Sequence, residues 1–280
     1  MVVTPYDHEF HKACCDEARS RGYPMGMGEG ARSLEAFIPA GVVMSTIVYA
    51  HLANTSTRIF IALYTAYIYY LDDMFQNNVD SVKQFNERFI MREKQDEPAL
   101  DSFAELLYEF PKHFNEVASK IMLTSTLNAV TALLLEYETR EMKLATGAHS
   151  YASFLRWISG TSEVYALFAF PAEVPLQSYI QVLPELMTVV NNINDVLSFY
   201  KEDLCGETAN RISVHATCTQ TNKIEVQRQL VDEVVTAHKH ASLVLGSDQA
   251  AYDAFIAFST GCIGFHFSLP RYKLNQICDC

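Results

Sequence analysis

The stretch Asn191-Asn-Ile-Asn-Asp-Val-Leu-Ser-Phe-Tyr-Lys-Glu-Asp203 holds the densest set of potential ligands in this 280-residue sequence. On a helix, Asn194, Ser198 and Glu202 follow one another at steps of four, so an amide, a hydroxyl and a carboxylate rise along one face. Stacked in that way they form an all-oxygen half-cage suited to a hard cation such as Mg²⁺. Lys201 lies on the neighbouring edge, within reach of an oxygen of a metal-bound phosphate. The same spacing also describes an ordinary solvated helix face, and spacing alone leaves the two readings even. A second acidic site, Asp72 and Asp73, ends the apolar run from Phe60 to Leu71. An Asp-Asp pair at a helix end is common by itself. Facing the Asn/Ser/Glu stripe across a bundle cavity, it would complete an oxygen-rich site.

Long helices are needed to carry these groups, and the apolar pattern supplies them. Val117, Ile121, Leu127, Val130, Leu134 and Tyr137 recur at helical steps, and Leu230, Val234, Ala237 and Leu245 do the same between Ile224 and Leu245. Breakers fall between such segments at Pro24 and Gly26, Pro39 to Gly41, Pro98, Pro111, Gly147, Pro171 to Pro175, Gly206, Gly246 and Pro270. No train of alternating β-branched residues, internal repeat or low-complexity linker interrupts them. The pattern predicts one all-α domain over residues 1–280, built from about ten helices.

Composition narrows the function. The chain is 49% hydrophobic, which argues against disorder, and its net charge is −12, from 21 Lys and Arg against 33 Asp and Glu. With no basic block, neither nucleic acid nor an anionic membrane is expected as the main partner. Seven cysteines, an odd number without framework spacing, fit a reduced, cytoplasmic setting. Cys278 and Cys280 read as thiols on a mobile tail. The opening residues MVVTPYDHEFHK lack the pattern of a signal peptide, and the longest apolar stretch, Phe60 to Leu71, is too short to span a bilayer. Aromatic residues crowd two segments, with Phe60, Tyr64, Tyr67, Tyr69 and Tyr70 on one and Phe255, Phe258, Phe265 and Phe267 on the other. Core packing accounts for most such residues. The alternative, ring faces that stabilise a carbocation, gains weight only beside a metal–diphosphate site.

Taken together, the motifs resemble a family. Asn194-Asp-Val-Leu-Ser198-Phe-Tyr-Lys-Glu202 resembles the second metal motif of class I terpene cyclases, and its Ser-Phe-Tyr-Lys-Glu portion is most similar to the trichodiene synthase family. Leu71-Asp72-Asp73 resembles the aspartate-rich motif. Phe154-Leu-Arg156-Trp-Ile-Ser-Gly160 resembles the segment bearing the diphosphate-sensing arginine, and Pro270-Arg271-Tyr272 resembles the C-terminal Arg-Tyr pair. All four occur in the family's order. The resemblance implies an antiparallel helical bundle of the class I terpenoid synthase type, with three Mg²⁺ ions and an isoprenoid diphosphate. In that scheme Asp72 binds two metals, and Asn194, Ser198 and Glu202 hold the third. Arg156, Lys201, Arg271 and Tyr272 donate to the diphosphate. Asp73 pairs with Arg271 on closure, and Ser159 and Gly160 take the linker and effector positions. Farnesyl diphosphate and a cyclic sesquiterpene hydrocarbon or alcohol are expected, with geranylgeranyl or geranyl diphosphate as runner-up, and a homodimer is a common assembly. Helical offset from the ligands nominates Tyr64, Thr65, Ile68 and Tyr69, and Met187, Val190 and Asn191, as residues of either core or pocket wall. Gln76 departs from the pattern, standing where the family often has a third acid.

Other readings fit less well. A chain-elongating prenyl transferase of similar architecture has two aspartate-rich motifs. A di-iron bundle needs Glu-x-x-His pairs, and the sequence contains none. His8 and His11 are three apart where the zinc motif needs four, and His238 and His240 are too close to share a helical face. A non-catalytic helical binding protein would be expected to have lost at least one ligand position.

Overall fold

Side chains that accept backbone N–H groups set many of the helix starts. Asn54 Oδ1 accepts from the amides of Ser56 and Thr57, Asn115 from Val117, Asn210 from Ser213 and Asn222 from Ile224. In the computed structural model, residues 6–26, 33–77 and 79–277 are described, except the side chains of 74, 76 and 77. Gln76 as a side chain, Cys278, Cys280 and residues 1–5 thus lie outside the described residues. Among the described residues there is no strand. The α-helices are α1 (His8–Ser20), α2 (Ile38–Val43), α3 (Thr55–Asn77), α4 (Val79–Lys83), α5 (Phe85–Met91), α6 (Pro98–Leu107) and α7 (Phe110–His113). They continue with α8 (Glu116–Thr139), α9 (Tyr151–Ser159), α10 (Ser162–Leu167), α11 (Leu183–Leu204), α12 (Arg211–Thr219), α13 (Lys223–Leu245) and α14 (Gln249–Ser268). A π-helical turn, Met44–Val48, follows α2, and a 3₁₀ turn, Pro270–Tyr272, follows α14.

The described helices outnumber the expected ten because several expected breakers turn out to begin helices. Pro39, Pro98 and Pro111 each occupy the first turn of a helix, where the missing N–H costs nothing. Gly41 sits inside α2 because a side chain there would collide with the Ala62 backbone of α3. On the opposite side, a Cβ on Gly261 of α14 would come 2.6 Å from the Ile47 carbonyl oxygen, so α14 rides directly on the π turn. α11 runs through the assembly against α10, α13 and α14, while α8 packs on α9 and α10. The core is aromatic. Phe60, Tyr64, Phe110 and Phe168 are buried together, with Tyr64 and Phe168 edge-to-face at 5.4 Å.

Among the described residues, one helix, α8, is long and apolar enough to cross a membrane by length and composition. Here it packs in the bundle and forms one wall of the central cavity described next.

Candidate active site

α3, α8, α11 and α14, with the α9–α10 joint and the Pro270–Tyr272 turn, enclose a cavity of about 330 Å³. Its deep walls are apolar and aromatic: Met44 and Val48 of the π turn, Val130 and Leu133 of α8, Phe258 and Phe265 of α14. Two hydroxyls on this surface are already paired within the protein. The Tyr49 hydroxyl donates to the Tyr165 carbonyl at 2.7 Å, and the Thr126 hydroxyl donates to the Met122 carbonyl at 2.9 Å. A chamber lined in this way offers water few partners.

The mouth is polar. Asp72, Arg156, Asn194 and Tyr272 border it, brought together from α3, α9, α11 and the C-terminal turn. The Arg156 guanidinium donates through Nη2 to Asn194 Oδ1 at 2.9 Å and to the Asn191 carbonyl at 3.4 Å. Its Nε stands 2.9 Å from Asp195 Oδ1, and the other oxygen of Asp195 accepts from Arg211 at 3.0 Å. Asp195 is buried, and two guanidinium groups compensate its charge. Lys201 Nζ lies 3.4 Å from Glu202 Oε1 and 5.9 Å from the centre of the Tyr272 ring. Arg271 lies over the rings of both Tyr69 and Tyr272, at 5.4 and 5.6 Å.

Asn194, Arg156 and Ser159 also border an adjoining cavity of about 410 Å³, which Glu202 lines together with Glu136 and Glu207. Ser198 is buried and borders neither cavity. The acids around this opening disturb one another. Asp72 is exposed by surface area, yet protein crowds its carboxyl, and desolvation raises it, against Arg271 and with Asp73. Desolvation likewise raises Glu136, helped by Asp72, and Glu207, helped by Glu202.

The residues nominated as walls divide. Ile68, Tyr69 and Val190 line the cavity. Tyr64 does not: it is fully buried, its hydroxyl shared with Thr126 at 2.8 Å, and it belongs to the core. Thr65 is also buried and receives the Tyr165 hydroxyl at 3.5 Å. Met187 and Asn191 do not border the cavity either. Asn191 packs instead on Gly160, where an added Cβ would lie 2.5 Å from Asn191 Oδ1 and 2.7 Å from the Arg156 carbonyl oxygen. That close approach explains the glycine. Ser159 borders both cavities and donates to the Leu155 carbonyl at 2.8 Å. Arg140 lies over Tyr137 and borders the second cavity, not the first.

Sequence reasoning passed over three residues here. Asp195 stood inside the quoted motif, one position from Asn194, without a role. Thr161 caps α10 in the left-handed region at φ 44°, a strained setting for a β-branched residue, and lines the cavity. His266 is buried on the cavity wall, and burial lowers its pKa to about 4, so the ring is neutral near pH 7. Nothing local in sequence marks it.

Among the described residues no group of three or more His, Cys, Asp and Glu is arranged to hold a metal ion. The Asn/Ser/Glu stripe is a different kind of donor set, with one carboxylate and two neutral oxygens. Its hard-oxygen chemistry, beside mutually repelling acids, fits a divalent cation such as Mg²⁺.

A helical bundle of this kind, with an apolar chamber opening at an acid- and arginine-lined mouth, defines the class I terpene synthase fold. A linalool/nerolidol synthase from Streptomyces clavuligerus, solved with 2-fluorogeranyl diphosphate, shares it. The TM-score is 0.68 at 15% identity, over 95% of this chain and 99% of that one. The model of the family Trichodiene synthase (TRI5) matches residues 30–280, and the chain belongs to that family. Alpha-cuprenene synthase COP6 of Coprinopsis cinerea is 36% identical over 275 residues, 98% of this chain and 84% of that protein. Monoterpene synthase 25 of Postia placenta is 32% identical, over 87% of this chain and 74% of its own length. Terpene synthase BipA of Cochliobolus sativus is 34% identical, over 79% and 69%. The chain is therefore a terpene cyclase, a lyase acting on isoprenoid diphosphates.

Proposed function

We propose that the protein is a Mg²⁺-dependent sesquiterpene synthase that ionises farnesyl diphosphate and cyclises the resulting cation. One observation carries this reading: an apolar, ring-walled chamber opens directly onto Asp72, Arg156, Asn194 and Tyr272. Its volume of about 330 Å³ lies at the small end of ligand cavities, roughly 300–1,000 Å³, and favours a farnesyl over a geranylgeranyl chain.

In this reading Asp72 holds metal from α3, and Asn194, Ser198 and Glu202 hold it from α11. Bound Mg²⁺ would supply Lewis acidity that neutralises the departing diphosphate. Arg156, Lys201, Arg271 and Tyr272 donate hydrogen bonds to the diphosphate oxygens as the carbon–oxygen bond breaks and the electron pair leaves with diphosphate. The allylic cation then lies against Phe258, Phe265 and Tyr69, whose ring faces stabilise positive charge. Paired hydroxyls on the deep wall keep water from quenching it. Attack by a distal double bond of the same chain closes the ring.

The test is incubation with Mg²⁺ and, separately, geranyl, farnesyl and geranylgeranyl diphosphate, followed by gas chromatography with mass detection. A cyclic hydrocarbon or alcohol from farnesyl diphosphate is expected. Turnover of geranyl diphosphate alone would replace the sesquiterpene assignment with a monoterpene one, and longer linear diphosphates from mixed substrates would overturn cyclisation.

A further inference from the structure

His266 makes two hydrogen bonds that leave it little freedom. Its Nδ1 is 2.8 Å from the Cys262 carbonyl oxygen, one turn back on α14. A carbonyl only accepts, so Nδ1 carries the proton, and Nε2, which faces an amide N–H₂ that only donates, presents a lone pair. Opposite that lone pair, at 3.2 Å, is Nδ2 of Asn194 on α11. The amide nitrogen therefore faces His266, and the amide oxygen faces the other way, toward the cavity mouth, where Arg156 donates to it at 2.9 Å. Turning the amide over would set its N–H₂ against the Arg156 N–H and its oxygen against the imidazole lone pair. Both contacts would be lost.

We propose that His266 is a positioning residue that keeps the amide oxygen of Asn194 directed at the metal site. The proposal rests on the reading of Asn194 as a metal ligand. Arg156 favours the same orientation only while it stays on Asn194. Once its guanidinium moves to the diphosphate, His266 remains as the partner that distinguishes the two ends of the amide. His266 also packs on Tyr272, ring centre to ring centre at 4.6 Å, so the orienting group is continuous with the turn that carries Arg271 and Tyr272. The metal-bearing face of α11 is thereby tied to the end of α14.

Three variants test this. His266→Phe fills the site without a lone pair, and His266→Gln places an amide oxygen near the position of Nε2. Asn194→Ala removes the group being positioned. Mn²⁺ binding in the presence of inorganic diphosphate is followed by the electron paramagnetic resonance signal of free Mn²⁺, with near-ultraviolet circular dichroism reporting the fold. His266→Phe is expected to weaken Mn²⁺ binding about 10-fold or more, the usual range for groups that orient metal ligands. His266→Gln is expected to recover most of the loss. In an Asn194→Ala background, His266→Phe is expected to cost nothing further. Unchanged Mn²⁺ affinity in His266→Phe overturns the proposal. So does a His266→Gln variant as weak as His266→Phe, or an additive loss in the double variant. If His266→Phe does not fold, His266→Asn, too short to reach Asn194, takes its place. Absence of Mn²⁺ binding in the unmodified protein would overturn the ligand reading itself, and that outcome is separate from all the others.

Discussion

Two of the three guanidinium nitrogens of Arg156 are engaged by protein: Nη2 by Asn194 and the Asn191 carbonyl, and Nε, which stands beside Asp195. An anion at the mouth meets a guanidinium already anchored on α11, and a planar fork can bridge the old and new partners in a way a point charge cannot. Arg156→Lys is expected to lower kcat/KM by roughly 10- to 100-fold, equivalent to one charge-assisted hydrogen bond of about 1.5–3 kcal/mol, with more uncyclised product. Steady-state kinetics with product profiling checks both, and an unchanged profile would remove Arg156 from the site. The two adjacent acids separate in the same manner. Asp72 borders the cavity and Asp73 does not, so Asp72→Asn is expected to cost more rate than Asp73→Asn. The reverse order in a side-by-side assay would reassign the metal ligand.

Between elements, the tightest constraint is the joint of α9 and α10. Gly160 lies against α11 with no room for a Cβ, and next to it Thr161 turns the chain through a left-handed conformation. The rigidity of this joint fixes where Arg156 enters the mouth, four residues earlier. Gly160→Ala is expected to lower stability by about 1–3 kcal/mol, the usual range for overpacking, because the added Cβ would meet Asn191 Oδ1 at 2.5 Å and, at 2.7 Å, the backbone oxygen of Arg156, which cannot swing aside as a side chain can. The same variant is expected to slow turnover by displacing Arg156. Chemical denaturation and initial rates measure the two effects, and a variant with native stability would show that the joint can shift.

Over the molecule as a whole, net charge and the local field point the same way. The chain is acidic, and Glu136 and Glu207 face one opening with their carboxyls raised chiefly by desolvation. A carboxyl whose folded pKa is raised binds its proton more tightly in the native state. Its contribution to stability is thus fully present below the ordinary carboxylate pKa of the unfolded chain and is lost as pH rises through the raised folded value. Glu136→Gln and Glu207→Gln are accordingly expected to melt above the unmodified protein at neutral pH without metal. The advantage should shrink as the pH falls toward about 4, where an ordinary Glu protonates. Thermal melts across that range test the sign. Mg²⁺ and diphosphate together are expected to raise the melting temperature far more than either alone, since a pair binding only the folded state at 100 times its Kd adds about 2.7 kcal/mol. A shift from diphosphate alone would speak against a metal-bridged site.

Helicity and the four-residue spacing of Asn194, Ser198 and Glu202 on one helix were legible in the amino-acid sequence because both are local. A step of four along one helix aligns Asn194, Ser198 and Glu202 whatever surrounds them, and the apolar periods over 117–137 and 224–245 fall within α8 and α13. The breakers misled where proline and glycine had other duties. Pro39 begins α2, and Gly41 lets it touch α3. Which residues wall the cavity was not legible. Tyr64 and Tyr69 are alike in type and lie five positions apart on α3, yet one is core and the other is wall. They point to different sides of α3, and packing decided which side became core: Tyr64 lies against Phe103, Phe110 and Phe168, while Arg271 lies over Tyr69. The pairing of His266 with Asn194, 72 positions apart, is likewise a product of α14 packing on α11. Local backbone geometry determined what each helix could present. Burial of helix faces against one another, a long-range property of the folded chain, decided which of those groups meet.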